Sequence, residues 1–220
     1  MKDAFTNMAS VALTIGALVI AGVAVHREFF SSPGIAPSRL TAVREVHGWE
    51  QLAHGASLGA PNTPFHIVEF ADFECPFCAL VSDTLRQLVR QHPGQLSIVF
   101  RHFPLESIHP HALLAALASE CALAQGRFEA YHDQLFRSQD SLGKLAWETI
   151  ARRAGISDVF EFERCLKSER YRSVVEDDIR AGESVGVGGT PTFVFEGKLI
   201  MGADGVDSLR RWVSQYVDGK

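Results

Sequence analysis

The sequence contains no dense run of lysine and arginine: 21 basic side chains are scattered among 26 acidic ones, and the formal net charge is −5. A partner as polyanionic as a nucleic-acid backbone is therefore excluded. The residues that mark non-globular chains are also few, since nine prolines and 18 glycines in 220 residues leave no collagen-like, mucin-like or low-complexity segment. Cysteine is scarce, four in all, and charge is missing altogether from Ala4 to Val25. What is present, 46% hydrophobic and 21% charged residues, is enough for one ordinary domain with additions or two small ones.

As a helix, the uncharged stretch would run about 33 Å, against about 30 Å for a bilayer's hydrocarbon core. Two readings fit it. It is a signal-anchor helix over residues 1–28, or a secretory signal cleaved near Ala21, Gly22 and Ala24. A buried helix of a soluble domain is disfavoured, because nothing in the run supplies a solvent face. Either leading reading exports the remainder: a single-pass cell-membrane protein with its catalytic domain outside the cytoplasm, or a periplasmic or secreted one. Residues 29–55 read as a linker and a short N-terminal element. "FFSSPGIAPSRLT" holds two prolines, a glycine and no apolar period, and "VREVHGWEQLAHG" could pack on the core.

The cysteines are Cys75, Cys78, Cys121 and Cys165, which allow three full pairings. Cys75 and Cys78 form a C-x-x-C. An apolar strand-like run from Phe65 to Phe70 precedes it, and a helix-like run to about Gln91 follows. A strand feeding a C-x-x-C at a helix start is the setting of a redox motif. Cys75 is expected to lie exposed at the helix N-terminus, where free N–H groups and the helix dipole favour a thiolate. Pro76 suits the first helical position, having no N–H to leave unpaired. Cys78, one turn on and facing inward, is expected to resolve a mixed disulfide. An inert disulfide or half of a zinc site is the competing reading. Zinc is disfavoured because Cys121 and Cys165 form no second close pair.

From "ASLGAPNTPFHIVEFADFECPFC" to "GGTPTFVFEGKLIMGADGVDSLRRWV", about residues 56–218, the chain resembles the DsbA-like thiol–disulfide oxidoreductases of the thioredoxin superfamily, in their membrane-anchored extracytoplasmic form. The resemblance implies an α/β thioredoxin fold over residues 56–220, with a helical subdomain inserted at about 104–182. It implies that Pro191 is cis beside the active-site pair and that Thr190 lines the substrate face, where an extended segment could add backbone hydrogen bonds. Glu69 matches the family's buried acid beneath the cysteines. A carboxylate in so apolar a strand needs a role or a partner, here proton transfer to or from Cys78, unless it faces solvent. Asp72 and Glu74 are expected in the loop and to disfavour the Cys75 thiolate. Phe77 stands where a family member with histidine has an extra donor. That aid is absent, and an exposed Phe77 could instead touch apolar substrate segments together with Pro76.

Leu96 to Phe103 reads as the next strand. Helices are expected near 109–125, with Pro110 opening the first, then near 128–137, 144–154, 158–168 and 169–181, punctuated by Gly126, Gly143 and Gly155. Cys121 and Cys165 both fall on apolar helix faces, and in an oxidising compartment they are expected to form a structural disulfide, the alternative being two unlinked core thiols. His102, His109, His111 and His132 show no metal-ligand spacing and are assigned to caps and surface. Thr192–Phe195 and Leu199–Met201 are expected as a hairpin closed by Glu196, Gly197 and Lys198, leading to a last helix ending near Val217.

The resulting expectation is a protein disulfide oxidoreductase that needs no cofactor or metal. It would pass the Cys75–Cys78 disulfide to reduced or unfolded exported proteins, and the resemblance implies a quinone-linked membrane thiol oxidase as reoxidant. A disulfide isomerase or reductase of the same fold and a binding or chaperone module with a passive disulfide are the alternatives. A thiol protease would have no use for Cys78.

Overall fold

The computed structural model describes residues 43–60 and 62–219. The expected helix over residues 1–28 and the linker up to residue 42 lie outside the described residues. Among the described helices none is long and apolar enough to cross a membrane.

The sheet is built around β3 (Phe65–Ala71), whose sequence FHIVEFA alternates between two buried faces. Ile67 and Ala71 point into the larger core, and Val68 and Phe70 into the smaller one on the opposite face. Period-two geometry puts Glu69 on the Ile67 side. β4 (Leu96–His102) pairs parallel with β3, from Phe65↔Leu96 to Ala71↔His102, and is buried along its whole length. The crossover between them is α1 (Pro76–Gln91), which buries Cys78, Val81, Leu85 and Leu88 at helical spacing.

On the other side of β3 lies β5 (Thr192–Phe195), antiparallel, followed by β6 (Lys198–Met201). Their turn is Glu196 and Gly197 alone, at φ 48° and 74°, a two-residue turn that matches strand twist. Lys198, expected in this loop, is the first residue of β6. Beyond the hairpin, β1 (Arg44–Glu45) pairs with β6, and at the far edge β2 (Ala56–Leu58) pairs with β4. The six strands run β1-β6-β5-β3-β4-β2. β1 thus forms the edge of the sheet beyond the β5–β6 hairpin. The segment expected as a linker element also places Val46 and Leu52 in the smaller core, with a 3₁₀ turn at Trp49–Leu52 between β1 and β2. The last helix, α7 (Gly205–Tyr216), lays Val206, Leu209 and Val213 on the larger core.

Between β4 and β5 the chain forms five helices. α2 (Ala112–Leu123) is buried on nearly every side, as an apolar helix at the centre of a subdomain must be. His111 precedes it as the N-cap residue, so Pro110 stands ahead of the helix instead of opening it. Around it stand α3 (Phe128–Arg137), α4 (Trp147–Arg153), α5 (Val159–Lys167) and α6 (Arg172–Ser184). Asp158 caps α5 by accepting from the Glu161 amide at 2.8 Å. α6 starts later than the apolar period suggests because Glu169, at φ 48°, turns the chain after α5. On α6, Gly182 is required by contact: a Cβ there would stand 2.8 Å from the Phe103 ring and 3.1 Å from Phe70.

Cys121 of α2 and Cys165 of α5 form a disulfide whose partners are 44 residues apart. The loop-entropy model assigns such a closure about 4 kcal/mol. Replacing both cysteines by alanine is expected to lower the unfolding free energy by about 3–4 kcal/mol in urea titrations, with the reactivity of the other two thiols retained.

Candidate active site at the Cys75–Cys78 pair

Ladder pairing ends at Ala71↔His102, and the Ala71 carbonyl then accepts from the Phe103 amide. The next four residues, Asp72 to Cys75, leave the sheet and deliver the chain to α1. Cys75 is the N-cap residue at φ −72°, ψ 118°, with Pro76 as the first helical residue. The Cys75 carbonyl accepts from the amides of Cys78 at 3.1 Å and Ala79 at 3.2 Å, closing the first turn. Cys75 and Cys78 are both free thiols in this structure.

The two sulfurs differ in what surrounds them. The Cys75 thiol is pulled down to about 6, chiefly by a hydrogen bond from the Cys78 thiol, with burial opposing and the Thr190 side chain and the Cys78 and Phe77 amides assisting. As a thiol it donates to the Thr190 carbonyl at 3.3 Å. The Thr190 hydroxyl is buried without a partner, and is thus available once Cys75 ionises. The Cys78 thiol is pushed well above its ordinary value, first by burial and then by its interaction with Cys75 and the proximity of Glu69. One sulfur of the pair is set to carry the charge and the other the proton.

The expected exposure of Cys75 is corrected: the residue is 3% exposed. Its sulfur lies under the turn in which the Thr190–Pro191 peptide is cis, and its carbonyl is covered from the helical insertion. Access to the sulfur is therefore narrow. Phe77, in contrast, is 58% exposed, and Pro76 is also exposed. Ile108 and Leu80 are exposed apolar side chains as well, Leu80 one turn after Phe77 on α1.

Glu69 is 2% exposed. Burial, reinforced by the neighbouring Cys75, raises its carboxyl from an ordinary 4.5 to about 8, so it is protonated at neutral pH. Glu74 and Asp72 are loop residues, but their charges are occupied. Asp72 accepts from the Glu74 amide at 2.7 Å, the Leu105 amide at 2.8 Å and His109 Nδ1 at 2.7 Å. Glu74 accepts from the His111 amide at 2.5 Å. Each carboxylate ties the cysteine loop to the segment leading into α2.

Two of the four histidines assigned to caps and surface are buried instead. His102 meets Glu120 of α2 at 2.9 Å, and its amide donates to Asp178 of α6 at 2.8 Å. Arg101 stands 2.6 Å from the same Asp178. His132 is packed among Phe73, Phe100 and Phe136 and bonded to Asp133 at 3.0 Å. Burial lowers the pKa of His132. Among the described residues no three His, Cys, Asp or Glu side chains are grouped to hold a metal.

Sequence reasoning missed one side chain that touches the motif. Gln139, on the 3₁₀ turn Gln139–Ser141 after α3, donates through Nε2 to the carbonyls of Phe73 at 2.7 Å and Cys75 at 3.0 Å. A lone glutamine 64 residues from Cys75 carries no local signal of that contact.

Comparison with known proteins places this geometry among relatives. A family profile described as thioredoxin matches residues 52–215. The Na⁺/H⁺ antiporter NhaA 1 of Mycolicibacterium gilvum (strain PYR-GCK) is 39% identical over 158 residues, covering 70% of this chain and 25% of that protein. NhaA 3 of Salinispora tropica is 34% identical over 151 residues, 69% of this chain and 23% of that protein. The chain thus spans about a quarter of the length of these curated relatives. Among solved structures, Pseudomonas aeruginosa DsbA2 superposes with a TM-score of 0.54 at 26% identity, covering 73% of this chain and 94% of that one. Oxidised BdbD of Bacillus subtilis superposes with 0.64 at 24% identity, over 72% and 90%.

Proposed function

The chain belongs to the thioredoxin family, and from that premise we propose that its Cys75–Cys78 pair donates disulfides to exported proteins. The thioredoxin fold and the free Cys75–Cys78 pair at the start of α1 support a thiol–disulfide oxidoreductase activity; the direction of exchange and the partners are the proposal.

In the proposed cycle a substrate thiolate attacks Cys75 Sγ of the oxidised pair. The S–S bond breaks and Cys78 leaves. Cys78 takes up a proton, which the protonated Glu69 beside it supplies directly or through water. A second substrate thiolate then attacks the substrate sulfur of the mixed disulfide and expels Cys75 as a thiolate. The substrate has lost two electrons, and the pair has gained them. Restoring the pair needs an electron acceptor, which we assign to a quinone-linked membrane thiol oxidase. Thr190 and the cis Pro191 turn would align the substrate backbone, with Phe77 and Pro76 touching its apolar side chains.

The observation that carries the direction is the low pKa of the Cys75 thiol, about 6, beside a Cys78 held protonated. A thiolate favoured in the dithiol form stabilises that form against the disulfide, and makes the pair oxidising. Equilibration against glutathione tests it. A potential near about −120 mV is the expected result, whereas about −270 mV would overturn the oxidase in favour of a reductase.

Membrane attachment through residues 1–28 belongs to the same proposal and is supported by the uncharged run Ala4–Val25. Sedimentation with membranes after alkaline carbonate washing is expected of the full chain. Appearance in the soluble fraction with a shortened N-terminus would favour the cleaved signal.

Glu69→Gln is expected to slow disulfide exchange by about tenfold to a hundredfold. The same change should alter the pH dependence of folding. A carboxyl raised from 4.5 to about 8 contributes stability in full below 4.5 and loses it as pH rises through about 8. Glutamine has no proton to lose, so this contribution is absent from the variant, and the stability of wild type relative to the variant should fall as pH rises through that window in urea titrations of the oxidised protein.

A further inference from the structure

The residues from Asp72 to Cys75 are gripped from the helical insertion at several points, most of them loop carboxylates accepting from the Leu105 and His111 amides and the His109 ring. Gln139 is the exception: a neutral side chain spending its amide nitrogen on two main-chain carbonyls of the redox loop. The Phe73 carbonyl has left the β3–β4 ladder, which ends at Ala71, and so needs a donor from elsewhere. The Cys75 carbonyl already closes the first turn of α1. A side chain that binds both fixes the spacing between the last sheet-side residue and the nucleophile.

Gln139 is itself well placed to hold that spacing. Three residues earlier Phe136 packs on the Phe73 ring, with centroids 5.1 Å apart, so one stretch of chain holds the side chain and the carbonyl of the same residue. α3 is fastened to α1 through Arg86, which pairs with Glu129 and with Asp133 at 3.3 Å. The loop beyond Gln139 is pressed against the α2 start, where Gly143 lies so close to the His111 ring that a Cβ would overlap it, and the His111 amide binds Glu74. The chain thus closes a ring from Glu74 through His111 and Gly143 to Gln139 and back to Cys75.

We propose that Gln139 is a positioning residue for disulfide exchange: its amide couples the helical insertion to the redox loop and holds Cys75 at the start of α1 in the orientation that favours the thiolate. It acts through the backbone and touches no reacting atom. The inference rests on Cys75 being the reactive thiol, and adds to that reading the means by which an insertion outside the thioredoxin core sets the nucleophile's reactivity. The Gln139 N–H groups bring positive potential to the same end of α1 as the Phe77 and Cys78 amides, so their loss should shift the ionisation of Cys75 upward.

The test is the rate of Cys75 alkylation by iodoacetamide in the reduced full chain, followed from pH 4 to 10. Gln139→Met keeps length and volume without the donors, and Gln139→Lys restores a donor. In Gln139→Met the rate at pH 6 is expected to fall about threefold, a shift of about 0.7 unit, with the plateau above pH 9 unchanged. Gln139→Lys should recover the wild-type rate at pH 6 or exceed it. A Gln139→Met profile that superposes on wild type, or that drops by one factor at every pH, would overturn the inference while leaving Cys75 as the nucleophile. A wild-type profile with no rapidly alkylated thiolate below pH 7 would instead remove the proposed function on which it rests.

Discussion

Replacing Cys78 by serine is expected to turn the protein into a trap. The Cys75 thiolate of this variant attacks a disulfide of an oxidised substrate chain and releases that chain's other sulfur as a thiolate; the mixed disulfide so formed should persist on non-reducing gels, while Cys75→Ser forms none and loses disulfide transfer by at least about a thousandfold. The asymmetry follows from the site. Cys78 is fully buried on the inner face of α1, and its pKa lies well above the ordinary thiol range, so no external sulfur reaches it. Cys75 stands at the N-terminus of α1, its charge favoured chiefly by the Cys78 thiol and further by the Thr190 side chain and the Cys78 and Phe77 amides. Where no second substrate thiol resolves the mixed disulfide, Cys78 is the sulfur of the motif placed to release a chain bonded to Cys75. For a substrate sulfur to arrive at Cys75, the Thr190 carbonyl, 3.3 Å away, has to give ground. Extended segments able to replace that contact with backbone hydrogen bonds should therefore be trapped in preference to folded proteins. Equal trapping by Cys75→Ser and Cys78→Ser would contradict the assignment of roles.

The parts of this site that were legible in the sequence are those written in neighbouring residues. A strand, Phe65–Phe70, running into C-P-F-C and then a helix places Cys75 at an N-cap, because the apolar period changes from two to 3.6 across the motif. The G-T-P segment before a β-branched and aromatic run marks the strand that lies against β3. What could not be read is set by partners distant in the chain. The pairing of Arg44–Glu45 with β6, which makes β1 an edge of the sheet, spans two residues, too few for any pattern. His102 looks like a surface residue until α2 brings Glu120 to its Nε2. Cys75 looks exposed by analogy with any helix N-terminus. Its covering comes from Thr190, 115 residues on, and from the insertion, so local reasoning places the sulfur correctly on the helix and wrongly in the solvent. Gln139 belongs to the same class: nothing in its neighbourhood distinguishes it from a solvated glutamine.

The potential of the Cys75–Cys78 couple is expected to change slope with pH at about 6, the pKa of the Cys75 thiol. Below that value two protons accompany the two electrons, and the potential should fall by about 59 mV per pH unit; above it Cys75 stays ionised, one proton is taken up by Cys78, and the slope should halve to about 30 mV. Glu69 does not blur the break, because its carboxyl is protonated up to about 8. The same ionisation governs folding. A thiol depressed from 9.0 to about 6 adds stability to the reduced form that is complete above pH 9 and is lost as pH falls through 6. The unfolding free energy of the reduced protein should therefore gain on that of the oxidised protein by about 1.4 kcal/mol per pH unit across this window. Glu69, being common to both forms, largely cancels in the difference. Against this gain the two-residue cross-link restricts the unfolded oxidised chain by about 2 kcal/mol at every pH. The oxidised form should thus be the more stable below about pH 7.5 and the reduced form above it. Parallel urea titrations of the two forms from pH 6 to 8 would register the crossing. Parallel curves with no change in their separation would mean that Cys75 carries no favoured thiolate, and the oxidising character derived from it would go with it.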